Sequence, residues 1–180
     1  MNTVKYFVAV GIAFLSLGCP ARSLFPLFTE KDLASLPNIV GTWANGEGET
    51  FSFQKSRDKG YDVVSRDHDG TTDRYKVQLG KLGKFWFMDS YPGEKGHDHH
   101  MIAAHIISKI SLDGDSLRIS SLESEWLKKV IDGGKLNIAH TKLDNDIILS
   151  ASTEELQQLV LRFADDDGAF PKGPSLGRMK

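Results

Sequence analysis

Between Ile39 and Ser150 the chain is written in short runs of alternating apolar and polar residues, each bounded by turn residues. Period two places successive side chains on opposite faces of an extended strand, so one face is dry and the other wet. Thr71 to Gly80 is the clearest run: Tyr75, Val77 and Leu79 share one face, and Arg74, Lys76 and Gln78 share the other. After Met101, the residues Ile102, Ala104, Ile106, Ile110 and Leu112 line one side of another. The same pattern predicts strands over 39–44, 49–55, 60–67, 71–80, 84–90, 101–112, 115–120, 136–143 and 146–150. Asp69-Gly70 and Asp113-Gly114 each sit between two runs, and a glycine that accepts positive φ there signals a tight hairpin.

Strands joined by such turns pair antiparallel. Their open edges would recruit other chains unless the sheet closes on itself. The chain is therefore expected to be mainly antiparallel β, a barrel or sandwich of about eight to nine strands with two short helices. Phe85, Trp86, Phe87 and Met88 are apolar on both faces. One face of that strand should meet the interior and the other a covering helix or the chain entry. The helices are marked by capping boxes at Ser120-Ser121-Leu122-Glu123 and Ser152-Thr153-Glu154-Glu155. Leu122, Trp126 and Val130 follow the first at helical spacing, with Gly133-Gly134 as the stop; Leu156, Leu159, Val160 and Phe163 form the stripe of the second. Thr29 reads as the cap of a short helical turn that Pro37 ends.

The amino terminus carries an address. Lys5 precedes an apolar run from Tyr6 to Gly18, the length of a signal-peptide core and shorter than the roughly 20 residues of a membrane span. The run ends on Cys19, the only cysteine, and Ser16-Leu17-Gly18-Cys19 resembles a bacterial lipobox. That resemblance implies an acylated Cys19 and a membrane partner reached through its lipid. Plain secretion, with cleavage after Ala21 or Ser23, is the alternative. A lone cysteine forms no internal disulfide. The expected organisation is a signal peptide at 1–18, a lipid-anchored tether and entry segment at 19–37, one barrel-like domain at 38–165 and a flexible tail at 166–180. A net charge of −2 without a basic block argues against nucleic acid as a partner.

Asn38-Ile39-Val40-Gly41-Thr42-Trp43 resembles the Gly-x-Trp opening of lipocalin-like (calycin) barrels, in which the tryptophan closes one end. The chain also resembles a group of uncharacterised bacterial envelope lipoproteins. They share Pro26-Leu27-Phe28-Thr29-Glu30-Lys31-Asp32-Leu33, then Gly41-Thr42-Trp43, the aromatic pair around Thr50-Phe51-Ser52-Phe53 and the helix start Thr153-Glu154-Glu155-Leu156. The likeness covers about residues 26 to 164. It implies a calycin-like fold and an envelope location, and no reaction.

No catalytic constellation emerges. Gly114-Asp115-Ser116-Leu117 spells an esterase block but falls in a hairpin turn, and no histidine has an aspartate three residues before it. His97, His99 and His100 are weak metal candidates that need third and fourth ligands from elsewhere; His105 and Asp89 are conceivable, though nothing in the sequence places them there, and no cofactor is expected. Asp165-Asp166-Asp167 lacks calcium-loop spacing and reads as a solvated helix end. His105 and His140 each sit within a strand and read by default as structural histidines; either serves a hydrolase only if a carboxylate or substrate group lies within hydrogen-bond reach. The aromatic residues Phe51, Phe53, Tyr61, Tyr75, Phe85 and Phe87 either line a ligand cavity or fill a small barrel.

The leading expectation is a non-enzymatic binding or accessory module of the cell envelope. Trp43, Phe85 and Phe87 are its ligand-contact candidates, and its partner is an apolar small molecule or an envelope protein. An inhibitor that blocks an envelope enzyme or toxin, and a hydrolase using His105 or His140, are the alternatives.

Overall fold

The computed structural model describes residues 19–57, 59–93, 103–143 and 146–180. The predicted signal peptide and the weak metal candidates His97, His99 and His100 lie outside the described residues.

Eleven strands form one sheet: β1 Arg22–Ser23, β2 Gly41–Ala44, β3 Thr50–Lys55, β4 Tyr61–Arg66, β5 Thr72–Leu82, β6 Phe85–Pro92, β7 His105–Asp113, β8 Ser116–Ser121, β9 His140–Leu143, β10 Asp146–Leu149 and β11 Ser175–Arg178. Helix α1 spans Ser124–Asp132 and α2 spans Thr153–Arg162. Strands β2 to β8 pair antiparallel in chain order. Strand β11 lies between β8 and β2 and closes an eight-stranded calycin-like barrel. Beyond the end of β8, the short β1 takes over the edge of β7 at His105 and Ile106 and pairs parallel with β10, which pairs with β9.

Alternation distributes the side chains between two cores. Trp43, Phe51, Phe53, Tyr61, Val63, Tyr75, Val77, Leu79, Met88, Ile106, Ile110, Leu117, Ile119 and Leu176 meet inside the barrel. The opposite face of the β6–β7 wall gives Phe87 and Ile107 to a second core, built with Leu127 of α1, Leu156, Leu159 and Val160 of α2, Ile147 and Leu149 of β10, and Phe170. The two-faced apolar strand at 85–88 is thus the partition between the barrel core and a helix-covered outer layer.

Three segments depart from the sequence expectation. The predicted flexible tail holds Ala169 and Phe170, both fully buried, and then the closing strand β11. Its Gly- and Lys-rich sequence carries little alternation, and only pairing on both edges makes it a strand. The predicted tether is part of the domain: β1 is in the sheet, Leu27 and Phe28 are buried, and Thr153 Oγ1 and Gln157 Nε2 of α2 donate to the carbonyls of Pro26 and Leu27 at 2.8 and 3.0 Å. Helix α1 begins at Ser124, with Glu123 as its cap, accepting from Trp126 N–H at 2.6 Å. Ser120 and Ser121 belong to β8, because ladder pairing with Lys109 and Ser108 outweighs the local capping signal. The second capping box forms as expected, with Ser152 and Glu155 exchanging hydrogen bonds.

Candidate functional site

The Gly-x-Trp opening builds the closed end of the barrel. Trp43 is fully buried, and its Nε1–H donates to the Ile39 carbonyl at 2.7 Å. Arg178, its cross-strand partner on β11, lies over the indole at 4.2 Å and donates to the carbonyls of Val40, at 2.9 Å, and Asn38. A Cβ on Gly41 would stand 2.8 Å from that guanidinium, and the backbone there has φ +129°, which explains the glycine. Of the predicted contact residues, Trp43 is therefore the one seated at this end, fully buried. Phe87 is fully buried against Phe170, ring centroids 5.8 Å apart, in the outer core. Only Phe85 is partly open.

Phe85 faces a cleft of about 740 Å³ that runs over the outside of β6, β7 and β8 to the barrel end at Leu36 and Asn38. Trp86, Leu112 and Phe170 supply further apolar lining. Lys84, Lys109, Arg118 and Lys172 enter the same cleft, against the single carboxylate of Asp167. Lys109 Nζ is held by the Ala164 carbonyl at 2.5 Å and lies 5.9 and 5.5 Å from the rings of Phe85 and Phe170. Arg118 Nη1 donates to the Gly173 carbonyl at 2.5 Å, which leaves its other N–H groups to the cleft. Lys84 and Lys172 make exposed ion pairs with Asp165 and Asp167 at 3.3 and 3.4 Å, the weakly held kind that a ligand exchanges at little cost. The cleft combines an aromatic wall with a net positive lining.

A second pocket, of about 480 Å³, lies on the outer face of β5 and β6 beneath the entry segment. There His105 Nδ1 and Asp89 Oδ1 are 2.7 Å apart, and Asp89 Oδ2 accepts the Leu27 N–H at 2.7 Å. The Asp89 side chain is 2% exposed and that of His105 17%. The Tyr91 ring stacks tilted on the imidazole at 4.7 Å. Sequence reasoning named both His105 and Asp89, as conceivable metal ligands, but not their pairing, because the two lie on neighbouring strands that only the sheet brings together. Among the described residues no carboxylate is hydrogen-bonded to His140, whose Nδ1 lies 2.8 Å from the Ile138 carbonyl.

The remaining motifs are structural. Ser116 Oγ contacts Ser175 Oγ at 2.7 Å and Asp115 pairs with Arg178 Nε at 2.9 Å, so the esterase-like block joins the β7–β8 turn to β11. Asp166 Oδ1 accepts from Gly168 and Ala169 N–H at the end of α2. Among the described residues no group of three histidine, cysteine or acidic side chains is placed to hold a metal. Cys19 is exposed and unpaired, and its carbonyl accepts the Ser124 N–H at 3.0 Å. No protein-family model, curated protein or solved structure matches this chain significantly.

Proposed function

We propose that this protein is an exported, lipid-anchored binding module of the cell envelope that takes an amphipathic anion on the outside of its barrel. The cleft beside Phe85 carries the reading. An acyl or aromatic body lies against Phe85 and Phe170 and reaches Trp86 at the barrel end, and a carboxylate or phosphate reaches Lys109 and Arg118. Binding here needs no vacancy in the interior, whose side chains already pack against one another. The likeness to envelope lipoproteins at residues 26–33 and 41–43 and the lipobox-like sequence at Cys19 support the location. An exposed Cys19, joined at once to the domain at Ser124, would hold the module close to the membrane surface.

Trp86 lies in the cleft, so its fluorescence reports occupancy. Titration with palmitate below its micelle concentration should give saturable binding that Trp86→Phe silences and native mass spectrometry reads as one ligand per chain. Lys109→Gln with Arg118→Gln should weaken it about ten-fold or more, the value of charge-assisted hydrogen bonds. Equal affinity of this variant, or no binding at all, would exclude the cleft. For the anchor, Cys19→Ser should move the protein from the membrane to the soluble fraction and abolish globomycin sensitivity.

A further inference from the structure

We infer that the Asp89–His105 pair forms the floor of a second small-ligand site, which takes an uncharged, hydroxyl-bearing molecule with His105 Nε2 as its hydrogen-bond acceptor. A carboxylate accepts and cannot donate. With Asp89 Oδ2 taken by Leu27 N–H and Oδ1 at 2.7 Å from His105 Nδ1, the neutral imidazole carries its proton on Nδ1. The acceptor lone pair is then on Nε2, which has no hydrogen-bond partner among the described residues and belongs to a ring lining the pocket. Tyr91, stacked on the imidazole at 4.7 Å, fixes the plane in which that lone pair points.

Holding the entry segment requires only Asp89 and the Leu27 amide. It does not account for an oriented imidazole whose second nitrogen has no partner among the described residues. The surroundings select the ligand. Pro26, Phe28 and Tyr91 make the walls largely apolar, and about 480 Å³ suits a single-ring molecule. Asp89 below and Glu30 at the rim repel an anion, and Lys76 is engaged with Asp62 at 2.7 Å. A neutral donor satisfies Nε2 without adding charge beside a buried carboxylate.

The test uses the purified protein labelled with ¹⁵N-histidine and four fragments: phenol, benzyl alcohol, anisole and benzoate. Long-range ¹H–¹⁵N spectra should show His105 protonated on Nδ1 when neutral. Phenol and benzyl alcohol should move its Nε2 resonance saturably, with anisole and benzoate at least about ten-fold weaker. His105→Phe, which keeps a ring against Tyr91, should bring phenol down to the level of anisole. If that variant does not fold, the fragment ratios on the unaltered protein decide alone. Four fragments of equal affinity, an unmoved His105, or a proton on Nε2 would overturn the site. Because Trp86 fluorescence reads the basic cleft and His105 reads this pocket, either proposal can fail without the other.

Discussion

At the scale of single residues, the molecule places charge where burial makes it consequential. Glu49 is 7% exposed, and burial raises its pKa above the ordinary 4.5, although Asn45 Nδ2 donates to it at 2.7 Å. A raised carboxyl favours the folded state fully below 4.5, and that contribution is lost as pH climbs through the folded pKa. Glu49→Gln keeps an acceptor for Asn45 and removes the buried anion. It should raise the thermal midpoint at pH 7 and leave it unchanged near pH 4, which calorimetry at the two pH values checks. Burial likewise pushes the Tyr75 phenol, inside the barrel, up to about 12. Arg178 is the other residue of high leverage, since it covers Trp43 and satisfies two carbonyls of the closing turn. Arg178→Leu keeps some packing but orphans the Asn38 and Val40 carbonyls, and should cost about 2 kcal/mol in urea unfolding.

At the scale of elements, the entry segment is sewn to the barrel by close approach. Leu33 bridges Gly80 on β5, the Ala34 N–H donates to the Leu79 carbonyl at 2.8 Å, and the Phe28 ring occupies the space where a Gly80 Cβ would project. That Cβ would fall 2.4 Å from the ring, so Phe28 must leave its buried seat. Gly80→Ala should therefore destabilise the fold by about 1–3 kcal/mol, the usual cost of overpacking. Hydrogen exchange should show protection lost first over residues 24–36. In the sequence Gly80 is simply the end of the 71–80 run, and nothing there shows why it is a glycine, because Phe28 is far away in the chain. Strand limits were legible wherever alternation met a turn, as at Asp113-Gly114, where Gly114 has φ +55°. They were not legible at Ser120 and Ser121, where a capping sequence lies inside a ladder.

At the scale of the whole molecule, closure depends on the last strand. Among the described residues β11 alone joins β8 to β2, and its Leu176 is buried in the barrel core. Removing residues 174–180 leaves β2 and β8 with open edges around an exposed apolar interior. The truncated chain should lose cooperative denaturant unfolding and elute as soluble aggregate in size-exclusion chromatography, whereas truncation after Arg178 should not. Closure also decides where ligands meet the protein. Trp43, Phe53 and Met88 are buried within the barrel, and both candidate sites are on the outside, one between the β6–β8 wall and the 165–173 segment, the other under the entry segment.

Local pattern alone determined the antiparallel strands, their hairpins, the second helix and the two-faced character of 85–88, because alternation, turn chemistry and capping act between neighbours in the chain. His105 could be singled out by its position opposite an apolar row. The tertiary structure alone decided that the tail is a strand, that Phe85 faces a cleft while Phe87 is sealed, and that His105 meets Asp89. Each of these depends on groups brought together from separate elements. Pairing across the closed sheet fixes their distances, and nothing in the local sequence encodes them.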